Sequence, residues 1–137
     1  AASDVYKRQS LLQPGALKDM TITIYHNPRC SKSRKTLAII EEAGVEPRVL
    51  RYLDEPPAAA DILALSRQLG RPVRDILRRG ETAFKEAVDL PDLDDDAALA
   101  AWLERHPIVL ERPIVVDSES DRAIIGRPPE QVGELLG

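Results

Sequence analysis

TITIYHNPRCSKSRKTLAIIEEAG, residues 21–44, is the stretch on which the fold of this 137-residue chain turns. Its opening, Thr21 to Tyr25, is β-branched and alternating, the pattern of a strand with one buried face. His26, Asn27, Pro28 and Arg29 then make a short loop. From Ser31 to Ala43 the placement of Leu37, Ile39 and Ile40 predicts a helix, and Gly44 stops it. Pro47 to Leu53 reads as a second strand. Such β-α-β units are almost always right-handed with parallel strands.

Downstream the chain turns helical. Ile62, Leu65 and Leu69 set a helix over 57–69 that ends at Gly70. Val73 to Arg79 predicts a short helix stopped by Gly80, and Glu81 to Val88 a further one. Asp94, Asp95 and Asp96 open a helix carrying Leu99, Trp102 and Leu103. Three neighbouring carboxylates can be read as a metal site, but acidic side chains complementing a helix N-terminus are the commoner arrangement. Ile114 to Val116 and Arg122 to Ile125 form a hairpin across DSESD, and a last helix covers Pro129 to Leu136. The order β-α-β, helical insertion, β-β-α predicts an α/β fold. It has a mixed four-stranded sheet, helices on both faces and a helical insertion, which is the thioredoxin-like plan.

Composition narrows the function. Hydrophobic residues make up 43% and charged residues 31%, as in an ordinary globular domain. The formal charge of −4 argues against a nucleic-acid partner, which would call for a basic face. No apolar run is long enough for a membrane span. Cys30 is the single cysteine, and His26 and His106 are the two histidines, too few nitrogen and sulfur ligands for a closed metal site. An unpaired thiol suits a reducing, cytoplasmic compartment. Residues 1–19 match neither a secretory signal nor the rest of the chain, and DVYKRQ resembles translated adapter sequence. We therefore expect a disordered or non-native leader over 1–19 and one domain over 20–137.

Cys30 stands where the first strand gives way to the first helix. The unpaired N–H groups and dipole of a helix start favour a thiolate, and the same donors can receive an oxyanion. His26, Arg29, Lys32 and Arg34 add positive potential, and Ser31 and Ser33 offer hydroxyls. A free cysteine is as often a small buried hydrophobe, so position alone leaves both readings open. Ser33 stands where a C-x-x-C motif would place its resolving thiol, so no internal disulfide can close. With 14 arginines among the 19 Lys and Arg, no single Arg is informative by type. Arg78, Arg112 and Arg127 lie at element ends, where a guanidinium fork can meet a tetrahedral oxyanion.

HNPRCSKSR at 26–34, YLDEPP at 52–57, VRDILRR at 73–79, ERPIVV at 111–116 and IGRPPEQV at 125–132 together resemble the glutaredoxin-coupled arsenate reductases, the ArsC family of thioredoxin-like fold. The resemblance runs from Thr21 to Leu136 and is nearest to the branch with an NPRCSKSR loop. It implies that Cys30 is the catalytic cysteine and that His26 helps lower its pKa. Arg78, Arg112 and Arg127 would bind the oxyanion, with Ser33 near the thiolate and a cis peptide bond before Pro113. It further implies arsenate as substrate, glutathione as co-substrate, glutaredoxin as partner, and no bound metal or cofactor. The best-studied branch has small residues where this chain has Arg29, Ser31 and Lys32. Two other readings compete. One is an Spx-like redox regulator, whose usual switch is the C-x-x-C that Ser33 removes. The other is a glutathione-dependent thiol oxidoreductase acting on a different substrate.

Overall fold

A computed structural model describes residues 21–136; the expected leader over 1–19 lies outside them. Strand β1 spans Ile22–His26 and leads through a tight loop into helix α1, Ser31–Glu42, and then strand β2, Arg48–Arg51. The insertion contains α2 (Ala59–Leu69), a 3-10 segment (Val73–Ile76), α3 (Thr82–Lys85), α4 (Asp96–Arg105) and a second 3-10 segment (Pro107–Val109). The chain then returns through β3 (Ile114–Asp117) and β4 (Arg122–Ile125) to a 3-10 segment at Pro129–Val132 and α5 at Gly133–Leu136.

The strands lie in the order β2-β1-β3-β4, with β1 and β2 parallel and the other two pairings antiparallel. Alternation along the central strands separates two cores. Ile22, Ile24 and Val115 face α1 and the C-terminal helices, where they meet Ile40, Val132 and Leu135. Ile114 and Val116 face the insertion and join Ile62, Leu65, Leu99, Trp102 and Leu103. Side chains two apart on a strand share a face, so His26 falls on the α1 side with Ile22 and Ile24. That places its ring beneath the first turn of the helix. The expected mixed sheet with helices on both faces is the one observed.

Element ends differ from expectation in informative ways. β1 runs one residue further, taking His26 into register opposite Arg51. α2 begins at Ala59 rather than Pro57; the Ala58 N–H bonds to the Asp61 carboxylate at 3.0 Å. It ends at Gly70, whose φ of 70° is the left-handed conformation glycine adopts at least cost. The helix expected over 73–79 is a 3-10 turn ending at Ile76. Leu77 is extended and bridges Leu110, and the Arg78 N–H bonds to the Val109 carbonyl at 2.6 Å. Pairing with the 109–111 segment thus replaces the last helical turn and carries Arg78 toward the sheet. Only Thr82–Lys85 is helical in the stretch expected over 81–88, and Val88 is fully exposed. The aspartates take the structural roles expected of a helix start. Asp95 caps α4 through the Ala98 N–H, Asp96 accepts from the Val73 N–H, and Asp94 pairs with Arg74.

Candidate active site

Cys30 is the N-cap residue of α1, with φ −92° and ψ 122°, and is partly exposed. The loop before it is tied locally. The Cys30 N–H bonds to the Asn27 carbonyl at 3.0 Å, and the Arg29 N–H to the Asn27 side chain at 3.0 Å. Arg34 Nη1 reaches back to the Pro28 carbonyl at 2.9 Å. Burial pushes the Cys30 thiol pKa up, but the backbone N–H groups of Ser33 and Lys32 and the guanidinium of Arg112 outweigh it. The net result is a thiol below its ordinary value of 9.0. No well-formed capping bond closes from the side chain. The sulfur is nonetheless near enough to those helix-start amides for their dipoles to stabilise the anion.

His26 and Ser33 form a buried pair beside the thiol. The His26 Nδ1 to Ser33 Oγ distance is 2.7 Å, and the Asn27 N–H donates to the same hydroxyl at 3.1 Å. Ser33 is fully buried, so its hydroxyl is turned to the ring and the loop, while its backbone N–H faces the sulfur. Burial, followed by the nearby Arg51 and Arg34, pushes the His26 pKa below its ordinary 6.5. The ring is held against Ser33 in the first turn of α1, and its lowered pKa disfavours the imidazolium form.

Arg78, Arg112 and Arg127, far apart in sequence, are brought together around two glutamates. Glu111 Oε1 lies 3.1 Å from Arg127 Nε and 3.3 Å from Arg78 Nη1. Glu81 Oε1 lies 3.4 Å from both Arg78 Nε and Arg112 Nη1. Arg127 Nε also donates to the Arg112 carbonyl at 2.9 Å, and Arg112 Nη1 to the Ile108 carbonyl at 3.2 Å. Arg112 is the most buried of the three, its side chain 11% exposed, and it is the one whose charge lowers the Cys30 pKa. Its Nε and that of Arg78 are buried without a hydrogen-bond partner. The Arg112–Pro113 bond is cis, as the resemblance implies, and Arg127–Pro128 is cis as well.

Four residues of this site went unnoticed in the sequence. Glu111 sits inside ERPIVV and Tyr52 inside YLDEPP, so their motifs were visible but not their roles. The fully buried Tyr52 hydroxyl approaches the Asn27 carboxamide without a well-formed hydrogen bond. Burial first, then the Cys30 charge, raises its pKa against the opposing pull of Arg112 and Asn27. Asn27 likewise sits inside HNPRCSKSR, whereas nothing near Glu81 in the sequence marks it. A separate cleft of about 300 Å³ flanks the loop on the β2 side, lined by His26, Asn27, Arg29, Arg51, Leu53 and Asp54.

A lone, acidified thiol at the first helix of a thioredoxin-like sheet, acted on by Arg112 from a cluster of three arginines, defines a class of single-cysteine thiol proteins. The ArsC family model matches residues 25–135, and the chain belongs to that family. The uncharacterised Escherichia coli (strain K12) protein YfgD is 46% identical over 119 residues, covering 85% of this chain and 97% of that protein. The arsenate reductase of Neisseria meningitidis serogroup B is 42% identical over 117 residues, covering 84% and 97% respectively. The solved structure of an arsenate reductase from Vibrio cholerae superposes with a TM-score of 0.74 at 44% identity, over 84% of this chain and 97% of that one.

Proposed function

We propose that this protein reduces arsenate to arsenite through a covalent adduct on Cys30, drawing electrons from Cys30 and from glutathione. The reading is carried by Arg112, whose guanidinium charge lowers the Cys30 pKa and which shares Glu81 with Arg78, within one cluster with Arg127. This arrangement supports a thiolate nucleophile acting beside arginines that receive an oxyanion. The names of the family members that resemble this chain support arsenate as the oxyanion.

In this mechanism the Cys30 thiolate attacks arsenic and an arsenate oxygen leaves as water, forming an S–As(V) bond. Lowering of the Cys30 pKa supplies the thiolate. The arginines balance the charge of the arsenate oxygens as the bond forms. The thiol of glutathione then joins; arsenic takes up two electrons, one from each sulfur, and leaves as arsenite. Cys30 and glutathione are left as a mixed disulfide. Since Cys30 is the only thiol of the chain, that disulfide must be cleared from outside, a role that suits glutaredoxin. His26 is a positioning residue here, keeping Ser33 and the helix start in place beneath the sulfur. The cleft bearing Arg29, Arg51 and Asp54 offers a carboxylate- and amine-bearing thiol peptide complementary charges next to the loop.

The test is arsenite formation by the purified protein with arsenate, glutathione and glutaredoxin, beside Cys30→Ser. Formation by the wild type and none by the variant is expected. If neither forms arsenite while the wild type cleaves glutathione mixed disulfides, the substrate is not arsenate and a thiol-transfer function takes its place. Arg127→Ala should lower kcat/KM roughly ten- to hundredfold, the value of one charge-assisted hydrogen bond of about 1.5–3 kcal/mol.

A further inference from the structure

Three guanidiniums meeting two carboxylates leave a net charge of 3 − 2 = 1 in the cluster, before the thiolate is counted. The two carboxylates are held very differently. Glu111 Oε1 accepts from Arg78 Nη1 at 3.3 Å and from the Arg112 backbone N–H at 3.2 Å and is ion-paired with Arg127 Nε at 3.1 Å, and the Glu111 N–H is bonded to the Ile76 carbonyl at 2.9 Å. It is built into the segment that carries Arg112. The backbone of Glu81 is tied in as well, its N–H bonded to the Arg78 carbonyl at 3.1 Å, but among the described residues its carboxylate meets only two guanidiniums, both at 3.4 Å, well beyond the roughly 2.7–2.9 Å of a good charge-assisted bond. Its side chain makes no capping bond to α3, the helix it precedes. The two arginines it touches are those whose buried Nε atoms have no hydrogen-bond partner.

We propose that Glu81 is a resident counterion which the tetrahedral oxyanion displaces, while Glu111 stays in place and positions Arg78 and Arg127. Glu81 thereby sets the specificity of the site. An incoming monoanion only exchanges one negative charge for another, whereas a dianion gains Coulomb energy from the same arginines. Its oxygens also offer acceptors for donors that Glu81 leaves poorly served. The proposal rests on the oxyanion-binding reading of these arginines given above.

The experiment compares wild type, Glu81→Gln, Glu111→Gln and Glu119→Gln for calorimetric binding of arsenate and of sulfate, together with steady-state arsenite formation. Gln keeps the shape of Glu81 and an oxygen for Arg112, so folding should be unaffected. Glu119 lies in the β3–β4 turn, beyond the Asp117 that pairs with Ile22 at the start of β1, and so at the opposite end of the sheet from Cys30. Glu81→Gln should tighten both oxyanions and lower the arsenate KM roughly three- to tenfold, with kcat within about twofold. Glu111→Gln should weaken binding, and Glu119→Gln should change nothing. Glu81→Gln binding no tighter than wild type overturns the proposal, as does an equal gain in Glu119→Gln, which would reduce the effect to net charge. Wild type that binds arsenate with the predicted Glu81→Gln gain but forms no arsenite leaves the displacement standing and removes the arsenate-reduction reading. No oxyanion binding by any of the four removes both.

Discussion

Cys30 and His26 are both held below their ordinary pKa values, but the consequences of the two shifts run in different pH ranges. For Cys30 the folded value lies below 9.0, so its contribution to stability is fully present above 9.0 and is lost as pH falls through the lowered value. Arg112→Ala should move the Cys30 titration upward, read by the ultraviolet absorbance of the thiolate against pH. An unmoved titration would mean that the helix-start amides suffice without the guanidinium. For His26 the folded value lies below 6.5, and the unfolded ring takes up its proton first as pH falls, so stability declines below 6.5. Urea unfolding from about pH 7.5 to about pH 5.5 should therefore cost the wild type more than His26→Gln. At this scale the sequence is a good guide where chemistry is local. The place of Cys30 at the strand–helix junction can be read directly, and the unpaired first amides of a helix make a lowered thiol pKa one of the two readings that place allows. Arg112 and Arg127 depend on motif resemblance, and Glu81 escapes altogether, since its role comes from meeting an arginine 31 residues away.

The elements around the site are held together by close approach. A Cβ on Gly126 would stand 2.5 Å from Thr36 Oγ1 and 2.8 Å from Pro113 Cγ, so α1, the end of β4 and the loop before β3 meet with no room for a methyl group. Gly126→Ala should cost about 1–3 kcal/mol through overpacking, measured by chemical unfolding, and should also disturb Arg112 and Arg127 on either side. An unchanged midpoint would show that Thr36 and Pro113 can give way. Strands and the long helices follow from alternation and spacing, and α1, α2 and α4 lie within a few residues of expectation. The insertion between α2 and α4 was harder to read. Val73–Arg79 has the apolar spacing of a helix, yet pairing of Leu77 with Leu110 draws the backbone out. Helical spacing records only local preference, and a partner more than thirty residues away overrides it.

Across the whole molecule, the core under the insertion and the sheet is continuous: Trp102, Leu99 and Leu65 from the helices pack with Ile114, Val116 and Ala123 from the strands. Trp102 is the chain's single tryptophan, fully buried, with its Nε1 donating to Asp89 at 3.0 Å. Its fluorescence should therefore report the same transition that circular dichroism reports for the sheet and helices. Separate midpoints would mean that the arm carrying Arg78 and Glu81 opens by itself. Leu103→Ala should lower the stability of that unit by about 2–5 kcal/mol. The mixed sheet and its helices on both faces were legible in the order of the elements, because right-handed crossover fixes how a β-α-β unit closes. The division of labour between two cores was not, since it depends on which side of the sheet each helix takes. The partly exposed Cys30 also makes the protein its own counting device: with one thiol per chain, the equivalents of alkylating reagent needed to silence a sample give the molar amount of competent protein directly.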